Sequence, residues 1–358
     1  IKNYKKRVFI MAIIPEIKVK IQKHKNVNPT GMASKVAVIG AFETKETNPV
    51  VVENINDAYT LLGDDKAYKG VACIDKLFNG ASSLLCVNTT TWSGETPNKD
   101  FTTSKLTEAL AKIKGEDFDI LFIAEALSDD ALPIITAFLD ECFEMKAPAG
   151  LVGAVKRTNK NEYITTSGLL KSEHVYQIIT QAFTVDEVEY SLEESSAYYC
   201  GIIAGLGVGN SMTMKELPNV TKVSPEYTFE EGSDGKALID NNYTIVKCQD
   251  RVNDKYVIVN SECPNGYDLY INRVRDYVIK QFNLTDFLGR LNHKVTINEI
   301  KQEASRVKHL CCNSLNLLDD IEYRVEKKTA DCVEIYLDRM VFDGIITKIN
   351  VYVNIEVQ

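Results

Sequence analysis

The chain has 358 residues, 45% hydrophobic and 25% charged, which is an ordinary globular composition with room for about two domains. Its formal charge of -9 argues against a general nucleic-acid binder and against docking on anionic lipid, since both favour a basic surface. No stretch approaches the roughly 20 apolar residues that span a bilayer, and nine cysteines scattered without a CxxC pair point to a reducing compartment.

At the start, "IKNYKKRVFIMAIIPEIK" sets basic residues before an apolar run, Val8 to Ile14. That run is short and lacks a small-residue cleavage site, so it does not read as a secretory signal. Met11 reads as a start in its own right, leaving residues 1–11 as an upstream extension. Next, Ile17, Val19 and Ile21 alternate with Lys18, Lys20 and Gln22, the period of a strand with one apolar face. The turn-prone "KHKNVNPTGMAS" follows. Residues 12–34 therefore form a strand arm and linker.

Residues 35–220 read as an α/β domain. "KVAVIGAF", "SSLLCVNTT", "FDILFIAEA" and "AGLVGAV" are apolar runs of strand type, and the third suggests a buried position in a sheet. Between them, "NINDAYTLLG", "YKGVACIDKLFNGA", "TSKLTEALAKIKG" and "DDALPIITAFLDECFEMK" read as helices, with Pro133 in a first turn. Such alternation predicts a mixed or parallel sheet flanked by helices. "LEESSAYYCGIIAGLGVGNS" reads as a buried helix running into a glycine-rich loop.

The polar "KELPNVTKVSPEYTFEEGSDGKA" marks a boundary at about residue 220, and residues 221–344 read as an α+β domain. "NYTIVKCQDRVNDKYVIVNSE" predicts a hairpin. An amphipathic helix follows, with Tyr267, Tyr270, Ile271, Val274, Tyr277 and Val278 on one stripe. A second helix opens on Thr296 and Glu299 as a capping box. The strands "IEYRVEK" and "CVEIYLDRMV" then lead to residues 345–358. There Ile349, Val351, Val353, Ile355 and Val357 keep one parity, so this segment is a second strand arm.

Candidate catalytic chemistry is thin. "GLGVGN" at 205–210 has the spacing G-x-G-x-G rather than G-x-G-x-x-G and follows a helix, so it reads as a helix-ending turn. Ser211 in "GNSMT" lacks the second glycine of a nucleophile elbow. His309, Cys311 and Cys312 lie close in sequence, but positions i and i+2 of a helix diverge, and no second pair completes a tetrahedral set. The pattern assigns no cofactor, no metal and no enzymatic role.

Each terminal strand either pairs within its own subunit or adds to a neighbour's sheet edge by β-augmentation. Twelve extended residues reach about 40 Å, enough to cross to an adjacent subunit.

Several stretches, in their order, resemble a known family. They are "SKVAVIGAFETKETN", "INDAYTLLGDD", "IDKLFNGASSLLCVN", "AYYCGIIAGLGVGNSMTMKELPNV", "KCQDRVNDKYVIVNSE" and "YINRVRDYVIKQF", ahead of the closing strand. The chain resembles the contractile tail sheath proteins of myophages and R-type bacteriocins (tailocins), in the compact two-domain form of Gram-positive systems. Likeness extends over most of 12–358. It departs where the family's glycine- and threonine-rich hairpin stands here as "IVKCQDRVNDKY".

The resemblance implies a two-domain sheath fold, with 35–220 outside and 221–344 inside. It implies a helical homo-oligomer of stacked rings around an inner tail tube protein, joined to baseplate and tail-terminator proteins, without nucleic acid or membrane anchor. A trigger at the baseplate starts contraction, while arms shared between neighbours keep the mesh joined. Asn28, Gly31 and Gly344, in the linkers "KHKNVNPTG" and "VFDGIIT", would be hinges. Lys294, Lys301 and Lys308 on one face of the second helix are the candidate tube contact. The particle would be made in a bacterial host cytoplasm and released on lysis. The competing reading is an α/β nucleotide-binding protein or enzyme whose terminal strands are coincidental. A further one is another stacked ring or shell component that shares the arms and does not contract.

Overall fold

The computed structural model describes residues 33–342, apart from 146, 288–293, 330 and 331. It opens with β1 (Lys35–Gly40), β2 (Val50–Val52), α1 (Ile55–Leu62), α2 (Lys69–Leu77) and β3 (Ser83–Asn88). A small hairpin, β4 (Thr91–Ser93) and β5 (Thr96–Asn98), precedes α3 (Thr103–Ile113), β6 (Ile120–Ala126), α4 (Ala131–Glu144) and β7 (Gly150–Ala154). Then come α5 (Lys160–Leu169), β8 (Val175–Ile179), β9 (Ala182–Val185), β10 (Val188–Glu189), α6 (Leu192–Gly205) and β11 (Val220–Ser224). The chain continues through α7 (Asp234–Asp240), β12 (Val246–Asp250), β13 (Lys255–Ile258), α8 (Leu269–Lys280), α9 (Lys294–Lys308), β14 (Asp320–Lys327) and β15 (Val333–Val341).

Six strands form the main sheet in the order β2-β3-β1-β6-β7-β8. All are parallel except β2, which runs antiparallel to β3 at one edge. Both faces are covered, so the strands are apolar at nearly every position. Val36 and Val38 pack on the face that holds α2 and α6. Ala37 and Ile39 pack on the opposite face, with α3 and α4. This is the expected mixed sheet between helices.

How closely α6 can lie is set by backbone contact. A Cβ on Gly201 would come 2.3 Å from the Lys76 carbonyl oxygen, one on Gly80 2.3 Å from the Gly201 carbonyl oxygen, and one on Gly205 2.8 Å from the Gly80 Cα. Real side chains cannot occupy such gaps, so glycine alone lets α2 and α6 touch. The start of α6 is fixed by a capping box: Ser191 Oγ accepts from the Glu194 amide, and Glu194 Oε2 accepts from the Ser191 amide. Beside it, Lys76 is buried between Asp75 and Glu194, its Nζ 2.9 and 3.1 Å from their carboxylates.

Packing of this body continues past residue 220, where the sequence pattern suggested a boundary. Two buried amides explain it. Gln177 takes the Tyr199 hydroxyl on Oε1 at 3.1 Å and donates Nε2 to the Ser261 carbonyl at 2.9 Å. Gln181 accepts the Val246 amide at 2.8 Å and donates to the Val246 and Pro225 carbonyls. The hairpin β12–β13 is thereby stitched to the sheet, and Leu238, Tyr243 and Ile245 complete the core on the α3–α4 face.

Helix α8 joins this body to a second, smaller core. Asp268 caps it, with Oδ1 accepting from the Tyr270 amide and Oδ2 from the Ser211 hydroxyl. Tyr267 therefore lies outside the helix and is exposed rather than on its apolar stripe. One side of α8 buries Asp276, which accepts the Tyr176 hydroxyl at 2.7 Å. Its other side presents Tyr270, Val274 and Val278 to Val307, Cys311, Leu318 and Ile321. In α9 the expected cap, Thr296, is instead buried within the helix. It shares a face with Ile300, Ala304 and Val307, because the helix already runs from Lys294.

Two predictions follow from this packing. Gly201→Ala is expected to cost about 1–3 kcal/mol through overpacking against α2. Gly168→Ala in α5, whose Cβ would meet nothing within 4 Å, is expected to be neutral or to stabilise by up to about 1 kcal/mol. Urea midpoints of both variants check the pair, and equal values would show that the helix contact is loose. The second concerns His174, which is 5% exposed beneath the Phe143 ring, with Asp140, Glu173, Arg275 and Asp276 around it. Burial holds its pKa below the ordinary 6.5, the effect outweighing the nearby carboxylates. The folded chain thus resists a proton that the unfolded chain accepts, so this stability is complete above pH 6.5 and is lost as pH falls. His174→Gln should flatten the decline of the urea midpoint below pH 6.5; parallel declines would refute the assignment.

Candidate assembly surface

Strands β14 and β15 pair antiparallel as a two-stranded sheet. The register shifts between Glu322 and Tyr323, so Asp338 has no residue opposite it. Ile321 faces inward and is buried, and Leu337, Met340 and Phe342 pack on the same core. The outward face carries an ion-pair ladder. Arg339 meets Glu322 at 3.2 Å, Arg324 meets Asp338 at 2.9 Å, and Lys328 reaches Glu334 at 3.5 Å. The Arg324 guanidinium also stacks 3.8 Å over the Tyr336 ring. Glu326 and Glu334 stand directly opposite each other, and Arg324 and Lys328 offset that like-charge pair.

A hairpin of this size is marginal alone, so α8 and α9 supply the surface that holds it. Among the described residues no third strand pairs with β14 or β15. Each strand therefore offers an outer edge, the surface to which an extended segment adds.

The three candidate lysines recur every seven residues and so fall in one row along α9. That row lies on the flank next to β14 rather than on the helix face farthest from the core. Lys294 and Lys301 are exposed. Lys308 Nζ pairs with Asp320 Oδ1 at 2.5 Å, an interaction that raises the lysine pKa and lowers that of the aspartate. The Lys301 carbonyl accepts the Tyr323 hydroxyl at 3.4 Å. The arm residues Ile17, Val19, Ile21, Ile349, Val351, Val353, Ile355 and Val357, and the hinge residues Asn28, Gly31 and Gly344, lie outside the described residues.

Residues weighed for catalysis are employed in structure. Gly205 ends α6, and the loop after it turns at Leu206. Ser211 belongs to a hydroxyl cluster with Thr213 and Ser261 around the capping carboxylate of Asp268. Cys311 is core, Cys312 is partly buried, and His309 Nδ1 lies 3.5 Å from Ser314 Oγ in a π-helical turn, His309–Ser314. In an open α/β sheet, ligands enter at the carboxyl ends of strands where the topology switches direction. At that place, between β1 and β6, the half-exposed Lys69 Nζ bridges Glu125 and Glu193, and the Gly70 amide donates to the Ala41 carbonyl at 2.9 Å.

The polar seam of α8 and the ladder on β14–β15 were not visible in the residue pattern. Arg273 and Asp276, three apart, look like a solvated helix face until β8 is placed beneath them.

With this geometry in hand, comparison with known proteins is direct. Residues 99–261 match the family model of the phage tail sheath protein central domain. The sheath tail protein of Desulfitobacterium hafniense has a similar structure, with TM-score 0.67 and 12% identity, covering 87% of this chain and 96% of that chain. For the sheath tail protein of Listeria innocua the TM-score is 0.66 at 11% identity, with 87% and 94% covered. The contracted helical sheath of the anti-feeding prophage gives 0.62 at 12% identity, with 90% and 93% covered. No curated protein matches the chain in sequence. At such identities the structural likeness is one of fold, and the sequence link is carried by the matched central domain. Residues 99–261 thus match the phage tail sheath central domain, within a chain whose fold is that of sheath tail proteins.

Proposed function

We propose that the chain is the repeating subunit of a contractile sheath, stacking as rings around an inner tube and driving that tube through a target envelope. The observation that carries this reading furthest is the β14–β15 sheet, with two outer edges and a half-buried apolar face. The segments 17–21 and 349–357 have the alternating sequence pattern that would suit addition to such edges in neighbouring copies, and Asn28, Gly31 and Gly344 would absorb the rotation between body and arm.

No step of this work needs a catalytic residue. If rotation of the subunits buried 200 Å² of additional apolar surface each, the gain would be about 5 kcal/mol per subunit. Summed over a tail, that makes contraction one-way. The structural relatives include sheath and baseplate assemblies of the anti-feeding prophage. By that analogy the partners are further copies of this chain, a tube protein, a baseplate and a tail terminator, with no nucleic acid and no membrane anchor. Such a particle is a phage tail or tailocin, made in the host cytoplasm and freed on lysis. Against the nucleotide-binding alternative stands the match of residues 99–261 to the phage tail sheath central domain.

Negative-stain micrographs of the full chain, and of one lacking Asn350 to Gln358, test the arms. Hollow tubes or stacked rings from the first and monomers from the second are expected; tubes from both would refute the role of the last strand. For the tube contact, Lys294→Glu with Lys301→Glu is the cleaner variant, since Lys308 already pairs with Asp320. Loss of straight, tube-filled sheaths is expected. Unchanged sheaths would remove these lysines from the interface.

A further inference from the structure

Residues 186–189 form the crown of the β9–β10 hairpin and are all exposed. Asp186, Glu187 and Glu189 are acidic, and none of them has an ion pair among the described residues. The Asp186 carboxylate accepts the Asn219 side-chain amide at 3.1 Å. Val188, between the two glutamates, is 57% exposed. Two-residue hairpin turns favour asparagine and glycine, because both central positions need positive φ. Here those positions are Asp186 and Glu187, with φ of 47° and 65°. A charged crown is thus kept where glycine would fit with less strain.

A cavity of about 460 Å³ lies at the carboxyl ends of β7 and β8, beside the first turn of α5. Its lining carries Lys156, Arg157 and Lys160 against one carboxylate, Asp234. Arg157 is matched from outside the lining by Asp129 at 2.5 Å, and Lys160 stands 3.9 Å from Asp234. Lys156 is exposed and has no ion pair among the described residues. The carboxylate in its electrostatic range, Glu193, is held by Lys69 at 2.9 Å. The charge of Lys156 is therefore left over, and it is open to solvent. Leu192, Pro225 and Tyr227 supply an apolar wall.

We propose that the acidic crown of one copy docks in this basic cavity of a second copy, its carboxylates meeting Lys156 and Lys160 and Val188 leaving water. The crown does not reach the cavity of its own chain. Ala182 lines that cavity, and β9 runs extended from there, which carries Asp186 about 13 Å away at roughly 3.3 Å per residue. Three negative charges then face a lining with two more cations than carboxylates, so charge steers the pairing and fixes its register. A knob and a hole on one chain make a contact that repeats from copy to copy. This contact joins bodies rather than arms, so it stands or falls apart from the sheath reading.

The test is carbodiimide coupling, which joins a carboxylate to an amine in contact with it, on an equal mixture of full chains grown with ordinary and heavy nitrogen. Mass spectrometry is expected to find Glu187 or Glu189 joined to Lys156 or Lys160 in mixed-isotope pairs. The yield should fall roughly tenfold as salt rises to about 0.5 M. A chain carrying Lys156→Glu with Lys160→Glu is then mixed with one carrying Glu187→Lys with Glu189→Lys. Coupling between the substituted positions of the two chains is expected. Pairs confined to one isotope, no coupling at these positions, or none in the exchanged mixture overturns the proposal. Micrographs of the same samples separate the two readings. Tubes without the coupling would keep the sheath and remove this contact, and coupling without tubes would keep the contact and count against the sheath.

Discussion

Everything in the smaller half of this protein hangs from one helix, α8, and from the polar contacts that fix it against the parallel sheet. An amphipathic helix normally sets its apolar stripe on a core and leaves its polar face to water. α8 has cores on both sides, so Asn272, Arg273 and Asp276 are buried as well. Buried polar groups must be partnered, because each unsatisfied one costs about 1–3 kcal/mol. Tyr176 bonds Asp276, Asn265 pairs with Asn272, and Arg273 donates to the Leu206 carbonyl and Ser34. The hydroxyl cluster on Asp268 and the Lys280–Asp119 pair fix the helix ends. Apolar contacts tolerate sliding, whereas these bonds hold at one position only. The helix therefore has one seat on the sheet, and α9 and the β14–β15 hairpin inherit that orientation.

The hairpin is the opposite kind of object. One face rests on α8 and α9 and the other carries alternating charges in an ion-pair ladder. Exposed pairs of this kind contribute little individually and are screened by salt. Their value here lies in keeping a charged outer face on a sheet that has no third strand among the described residues. Long open edges invite indiscriminate pairing, and charged residues on the adjacent face discourage stacking of one hairpin on another. Such a surface suits an assembly in which only a strand of the right register is admitted.

A body with one polar seam, and a hairpin with no third strand among the described residues, fits the assembly proposed above. At the carboxyl ends of β1 and β6 Lys69 bridges Glu125 and Glu193, and Gly80, Gly201 and Gly205 bring α6 into backbone contact with the end of α2. On the proposed reading function rests on how copies meet, in keeping with the sheath fold and the matched central domain.

Much of this was legible in the residues. Runs such as "FDILFIAEA" read as strands and suggested a buried position, and the helices between them followed from their period and, in several, a closing glycine. Gly63 and Gly115 adopt the positive φ that such endings need. The hairpin at 246–258 and the two strands within 320–341 were readable from the residues, and the likeness to tail sheath proteins was readable from the order of weak motifs. Three features were not, because each depends on what lies across a gap. Thr296 looks like a cap until the helix is seen to start at Lys294. The division at residue 220 looks natural until Gln177 and Gln181 are seen bonding across it. Arg273 looks like one more solvated arginine until β1, β6 and α8 enclose it. Local period and turn chemistry determine which elements form, whereas burial of a polar group is decided by the element that packs against it, and only the tertiary structure supplies that element.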